Sequence, residues 1–206
     1  MVNEIVKYDN RLNNIALRKF NSREMDLFFS IASRVQNKGT TDLLFSFDEL
    51  KSLSNYTQHG EQFVQDLDKT YHKLLSLNAT IDDGHTIKAF VLFTQYLIDR
   101  DTETVKIAVN PEFKGIFNEL STWTRFSLMQ FTNLRSTYSK TMFRLLKQYR
   151  IVGERTFPID EFRALLDVPK SYSVGDIDKV ILKPIKEELS PIFKGLAVRK
   201  LRGGRG

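Results

Sequence analysis

Apolar residues recur every three or four positions in four long segments of the chain, a spacing that places them on one face of an α-helix. These segments are predicted as helices over Ser22–Val35, Glu61–Leu77, Ser136–Ile151 and Asp176–Leu189. Ser22 is of a residue type that commonly caps a helix N-terminus, so we expect it to cap the first of them. Each helix thus has one apolar face for burial and one polar face free for other contacts.

Segments rich in β-branched and aromatic residues predict the strands. Ile87–Leu97 and Thr104–Val109 flank the polar turn Asp99–Thr102, so they are predicted to pair as a hairpin. Shorter runs predict strands at Leu43–Phe45, Arg155–Phe157 and Ile192–Leu201. Short helices are expected over Asp48–Leu53, Pro111–Phe117 and Pro158–Leu166.

Two pieces of sequence occur twice, in the same order and at nearly the same offset. Phe45–Leu50 parallels Phe157–Phe162, and Asp66–Lys69 parallels Asp176–Lys179. Both halves are predicted as helix, strand, short helix, long helix and strand, the order of a winged helix, whose last helix can enter a major groove. The predicted fold class is therefore α+β, with two tandem winged-helix domains related by internal duplication, over residues 1–125 and 126–206.

Charge separates the two halves. The chain of 206 residues has a net charge of +6, but residues 1–120 carry 14 basic and 17 acidic residues, whereas residues 121–206 carry 17 and 8. A positive second half predicts a polyanionic partner and favours nucleic acid over a merely solvated surface. No apolar run approaches the ~18 residues of a membrane span and no secretory signal precedes the first helix, so we expect no membrane partner and a cytoplasmic location.

The last long helix holds the principal DNA-binding candidates. Its apolar stripe consists of Ile177, Ile181, Ile185 and Leu189, with Val180 beside it. Lys179, Lys183 and Lys186 lie away from this stripe, where they can meet phosphates. Pro184 lies within the same pattern and is expected to bend or shorten the helix. The second domain is therefore predicted to bind DNA, and the first to dimerise and to contact DNA more weakly.

The other DNA-binding candidates fall into three groups: an exposed basic line on the helix over residues 136–151, the second wing, and the polar face of the helix over residues 61–77. They are Lys140, Arg144 and Lys147 on the basic line, Arg199, Lys200 and Arg202 on the wing, and Gln62, Gln65, Lys69 and Lys73 on the first-half helix. Glutamine can bind adenine edges, and cations on a wing can meet the backbone or the minor groove.

Signals for catalysis are missing from the sequence. There is no cysteine, no phosphate-binding loop, and the three histidines, His59, His72 and His85, are 13 residues apart. The aspartates Asp82, Asp83, Asp99 and Asp101 fall in predicted turns, where Asp is common for backbone reasons. We therefore expect no metal site, no cofactor and no enzymatic activity.

Taken together, the motifs resemble those of the Rep_3-type plasmid replication initiators of theta-replicating plasmids. The segments that carry the resemblance are Val6–Leu12, Asn21–Val35, Phe45–Leu53, Leu67–Leu77, Ser139–Tyr149, Phe157–Leu166 and, most closely, Asp178–Leu189. The resemblance implies an initiator that binds direct repeats (iterons) at a plasmid origin, promotes opening of the adjacent duplex and recruits host replication proteins such as a helicase or an initiator. It also implies a monomer at the origin and a dimer, joined through the first domain, that represses its own promoter.

By the same resemblance, Lys179, Lys183 and Lys186 lie in the groove of one half of an iteron, and the face over residues 62–73 contacts the other half. Members of the family continue through a second wing strand and a tail, so we expect a truncated wing at Gly206. Two alternatives stay open from the sequence: a two-domain winged-helix transcriptional regulator without a role in initiation, and a winged-helix protein that binds protein.

Overall fold

The computed structural model describes residues 4–15, 17, 20–35, 42–58, 60–82, 84–112 and 122–201. The first module contains β1 (Ile5–Asp9), a 3-10 helix (Asn10–Asn14), α1 (Ser22–Val35), β2 (Asp42–Ser46), α2 (Phe47–Ser54), α3 (Glu61–Leu75), β3 (Asn78–Asp82), β4 (Ile87–Val91), β5 (Phe93–Asp99) and β6 (Thr104–Val109). The second contains β7 (Trp123–Ser127), α4 (Leu128–Thr132), α5 (Thr137–Gln148), α6 (Ile159–Leu165) and α7, which consists of the consecutive segments Val174–Asp176, Ile177–Leu182 and Lys183–Leu189. Arg202 and most of the helix predicted over residues 111–117 lie outside the described residues.

The first module is a winged helix with its wing in place. Strands β2, β6 and β5 form an antiparallel sheet in that order, and β5 and β6 are the predicted hairpin. Ser46 ends β2 and accepts a hydrogen bond from the backbone N–H of Glu49, which caps α2. Helix α3 packs against β5 and α1, so its remaining face is left exposed.

The strand predicted over Ile87–Leu97 is two strands with different partners. β4 pairs with β3, which the sequence analysis missed, whereas β5 pairs with β6. The change occurs at the buried Leu92, whose N–H donates to the carbonyl of Leu77 while its own carbonyl accepts from Asn110. A single apolar run thus contributes to two sheets, because the backbone of Leu92 is bonded outside both ladders.

The second module departs from the predicted strands. Neither Arg155–Phe157 nor Ile192–Leu201 is a strand. The N–H groups of Ile192 and Phe193 bond back to the carbonyl of Leu189, so this backbone continues as turns instead of a ladder. Within residues 122–201, β7 is the one strand, and its partner is β1 of the first module.

Sheet pairing and a shared aromatic cluster join the two modules. β1 and β7 pair antiparallel along their whole length, from Ile5 opposite Ser127 to Asp9 opposite Trp123. Beneath this sheet Phe29 of α1 lies 4.7 Å from Phe131 and 5.7 Å from Phe126 between ring centroids. Both modules therefore contribute to one continuous core.

The cap of the first helix lies one residue earlier than predicted. Asn21, not Ser22, accepts a hydrogen bond from the N–H of Glu24 through its side chain, and the Glu24 carboxylate accepts one from the N–H of Asn21. This reciprocal pair satisfies two N–H groups that a helix start otherwise leaves unbonded. No helix within the described residues has the length and apolar character needed to cross a membrane.

Candidate nucleic-acid interface

Helix α7 presents the three candidate lysines on an exposed face. Ser173 and Asp176 form a capping box at its start. The isoleucines and leucine predicted on the apolar stripe are buried: Ile177, Ile181, Ile185 and Leu189. Lys179, Lys183 and Lys186 are all exposed on the other side, as the spacing predicts.

Pro184 changes the winding of α7 without ending it. Proline has no N–H for the carbonyl four residues earlier, and the helix is π-helical through Ile177–Leu182, immediately before it. The N–H of Lys183 bonds to the carbonyl of Asp178, five residues back. The helix then continues to Leu189, so the expected shortening at Pro184 does not occur.

The wider turn also explains which residues of α7 are buried. A four-residue spacing exceeds the about 3.6 residues of a regular turn, and a π-turn takes up the difference. Ile177, Ile181 and Ile185 therefore stay on one buried face. Val180, which the sequence analysis placed beside this stripe, is 41% exposed.

Three of the candidates meet at one groove beside α7. Lys183 and Lys186 lie on one wall and Lys200 of the C-terminal segment on the other, around an open volume of about 590 Å³. Lys200 is ion-paired with Asp178 of α7, which holds this segment against the helix. Lys186 makes no ion pair with any residue in the described ranges, and Arg199, next to Lys200, is exposed.

The predicted basic line on α5 is wrong for Lys140 and Arg144, which are buried. The Lys140 side chain has no exposed surface, and its Nζ donates to Asp26 Oδ1 at 2.5 Å and to the carbonyl of Phe131 at 2.9 Å. Arg144 is 3% exposed and donates to the Tyr8 hydroxyl at 3.1 Å and to the carbonyl of Leu12 at 2.9 Å. Asp26, Tyr8 and Leu12 belong to the first module, so both cations join the modules and are not available to DNA.

Helix α5 is buried on more than one face, which the amphipathic pattern does not reveal. It packs against α1 of the first module as well as against α7 and β7. Burial raises the pKa of Asp26 to about 7, although the attraction of Lys140 lowers it, and burial lowers the pKa of Lys140. Lys147, the third member of the line, is half-buried over the rings of Phe143 and Phe193, at 5.0 and 5.2 Å.

The α3 face of the first module retains three of its four candidates. Gln62, Gln65 and Lys69 are exposed, and the amide of Gln62 donates to Asp66 Oδ1 at 3.0 Å. The prediction that Lys73 is free for DNA is wrong. Lys73 is half-buried, and its Nζ donates to both carboxylate oxygens of the buried Glu24 at 2.6 and 2.7 Å. Lys73 therefore joins α3 to α1.

The sequence analysis missed a second group of cations. The pairing of β1 with β7 brings Lys7 opposite Arg125, and Lys7 and Arg150 both lie over the ring of Trp123. No local pattern indicates this group, because its members lie in β1, in β7 and in the turn after α5. Among the residues that the structure describes, no cluster of three His, Cys, Asp or Glu side chains could hold a metal ion.

Two family models match the chain in succession. The model described as "Initiator Replication protein, WH1" matches residues 5–147, and "Initiator Rep protein, WH2" matches residues 158–205. The chain belongs to this initiator replication protein family. The predicted family and the two winged-helix domains are thereby confirmed, and the boundary at residue 125 and the DNA contacts of individual residues stay predictions.

A curated relative and a solved structure agree with this family. The "Probable replication protein rep" of Bifidobacterium longum (strain NCC 2705) is 40% identical over 205 residues, which cover 97% of this initiator and 69% of the relative. The solved structure is that of the Pi initiator protein in complex with iteron DNA, with a TM-score of 0.72, 12% identity and coverage of 98% and 94% of the two chains. At that identity the match shows a shared two-module fold.

Proposed function

We propose that the chain initiates plasmid replication by binding iteron repeats at the plasmid origin. The observation that carries this proposal is the exposed face of α7, where Lys179, Lys183 and Lys186 lie opposite a fully buried apolar stripe in the second winged helix. Family membership, the relative named as a replication protein and the fold of an initiator solved with iteron DNA all support it.

The exposed faces of α3 and α7 support a contact of both helices with one repeat. Helix α7 enters a major groove with its lysines near phosphates, and α3 presents Gln62, Gln65 and Lys69 to a neighbouring groove. When the exposed cations neutralise phosphates, counterions are released from the DNA, so the affinity falls steeply as the salt concentration rises. Arg199 and Lys200 extend the contact beside α7.

Further parts of the proposal concern the assembled origin. The bound protein promotes opening of the adjacent duplex and recruits host replication proteins in the cytoplasm, without catalysing a reaction itself. A homodimer joined through the first domain represses the chain's own promoter. We retain the division into a first, dimerising and a second, DNA-binding part, although a cut at residue 125 would fall inside β7.

Charge reversal on α7 tests the DNA contact. Lys179→Glu together with Lys183→Glu should abolish binding to origin DNA, measured by footprinting and fluorescence anisotropy, because both replace a phosphate contact by repulsion. Both lysines are exposed, so the free energy of unfolding should change by about 0.5 kcal/mol or less. The matched control, Lys88→Glu with Lys106→Glu, reverses two exposed lysines on β4 and β6.

A replication assay separates initiation from regulation alone. A plasmid that carries its direct repeats and the wild-type gene should replicate, and the same plasmid with the α7 variant should fail to establish. If the α7 variant loses promoter repression while the plasmid still replicates, the chain is a regulator without an initiation role. Unchanged origin affinity of the α7 variant would refute α7 as the contact surface.

A further inference from the structure

The outer face of the β1–β7 sheet carries an unusual arrangement of charge. Strand residues alternate between the two faces: Val6, Tyr8, Thr124 and Phe126 are buried. Lys7 and Arg125 lie on the opposite face and are direct cross-strand neighbours. Like charges placed directly opposite one another destabilise a sheet, so the fold itself gains nothing from this pair.

No described carboxylate compensates these charges. Lys7, Arg125 and Arg150 make no ion pair with any residue in the described ranges. The acid nearest to them on these strands, Asp9, is 2% exposed and accepts hydrogen bonds from both the backbone N–H and Nε of Arg11. The positive charge on this face is therefore left for a ligand from outside the chain.

Trp123 holds two of the three cations in place. Lys7 Nζ lies 4.9 Å and the Arg150 guanidinium 5.0 Å from the centre of its half-buried ring. A cation–π contact orients a cation without neutralising it. Burial lowers the pKa of Lys147, three residues before Arg150, and the positive charge of Arg150 lowers it further.

We infer that Lys7, Arg125 and Arg150, arranged around Trp123, form a second site for the phosphodiester backbone of a nucleic acid, separate from the faces of α3 and α7. A guanidinium fork matches phosphate oxygens, and a polyanion with regularly spaced phosphates can engage several cations together. The inference rests on the proposed function, since DNA is the polyanion that the chain is proposed to bind. Because β1 belongs to one module and β7 and the turn after α5 belong to the other, a backbone bound here contacts both modules.

Salt titrations of matched variants test this site. The site variant is Arg125→Gln with Arg150→Gln, and the control is Lys88→Gln with Lys106→Gln, which removes the same charge from exposed ion pairs. Affinities are measured by fluorescence anisotropy at several salt concentrations. The probes are a duplex that carries one direct repeat of the plasmid encoding the chain, and each strand of that duplex alone.

The site variant should flatten the slope of log K against log[salt] by about 1.8 on the duplex, or by about 1.4 on a single strand, for two lost phosphate contacts. A change on the duplex identifies the backbone of double-stranded DNA as the ligand, and a change on the strands alone identifies unpaired DNA. The control should leave both slopes unchanged. Unchanged slopes in the site variant on every probe would overturn the inference.

Two comparisons separate this inference from its alternatives. Loss of duplex binding in the variant Lys179→Glu with Lys183→Glu, together with an unchanged slope in the site variant, refutes this site and leaves the proposed function intact. Absence of binding by the wild-type protein to any probe refutes the proposed function. Arg125→Gln alone should keep or raise the melting temperature, since it removes a like-charge pair, and a clear fall would show that Arg125 serves the sheet instead.

Discussion

Lys140 and Asp26 form the one contact in which a fully buried cation of the second module meets a buried carboxylate of the first, within the described residues. Replacing only one partner leaves a charge in the interior without compensation. Lys140→Ala should therefore lower the free energy of unfolding by about 3–5 kcal/mol, measured by urea denaturation. Lys140→Met with Asp26→Leu should recover most of this loss, because it removes both charges.

The matched surface variant for this test is Lys88→Ala, which breaks an exposed ion pair with Glu112 and should cost about 1 kcal/mol or less. If Lys140→Ala costs no more than Lys88→Ala, the buried pair does not hold the modules together. From the sequence alone Lys140 was indistinguishable from a surface lysine, because the helical spacing of α5 records one apolar face and not the second face that α1 covers.

The raised pKa of Asp26 gives a pH dependence with a defined sign. Its carboxyl ionises at about 7 in the folded chain, because burial raises the pKa, and at about 3.9 in the unfolded chain. Between these values the folded state binds more protons, so this group destabilises the fold progressively as pH rises from about 4 to 7. The unfolding free energy of wild type minus that of Asp26→Asn should fall across this window, and a difference that rises with pH would contradict the assignment.

At the scale of the elements, the start of α1 provides a comparison between two neighbouring residues. Asn21→Ala should cost about 1 kcal/mol of stability, because it removes the side chain that accepts from the N–H of Glu24. Ser22→Ala should change stability by a few tenths of a kcal/mol, since Ser22 is already inside the helix. Thermal or urea unfolding of both variants measures this, and an equal cost would contradict the observed cap.

The longest elements were predictable, and several of the short ones were not. Helix α1 and strand β6 have the predicted bounds, because their apolar spacing is continuous over their whole length. Strands β1, β3 and β7 were missed, because each is defined by its partner more than by its composition. The segment over residues 192–201 has strand-like composition but pairs with no strand in the described part of the chain, so it continues as turns and irregular backbone.

At the scale of the whole molecule, the shared core predicts that the two modules unfold together. Trp123, the single tryptophan of the chain, lies in the sheet that joins them. Its fluorescence and the far-ultraviolet circular dichroism should therefore show one coincident transition in denaturant. Two separated transitions would show that the modules unfold independently and that the aromatic cluster around Phe29 couples them only weakly.

The duplication was visible in the sequence and the joint between the modules was not. Phe45–Leu50 and Phe157–Phe162 repeat because each copy must build the same helix in its own module. The contact of Phe29 with Phe131 follows no such repeat, since an apolar residue has the same spacing whether it faces its own module or the neighbouring one. The candidate site on α7 was predictable because its lysines follow a local helical spacing. The cations around Trp123 were not, because only the pairing of β1 with β7 brings them together.

A joint made of a paired sheet, an aromatic cluster and buried polar contacts leaves the modules little freedom to turn against each other. The distance between α3 and α7 should then stay the same when the protein binds DNA. If α3 and α7 contact the two halves of a repeat as proposed, the protein should bind a repeat whose halves have the right separation and reject one lengthened by half a helical turn, even when the sequence of each half is kept.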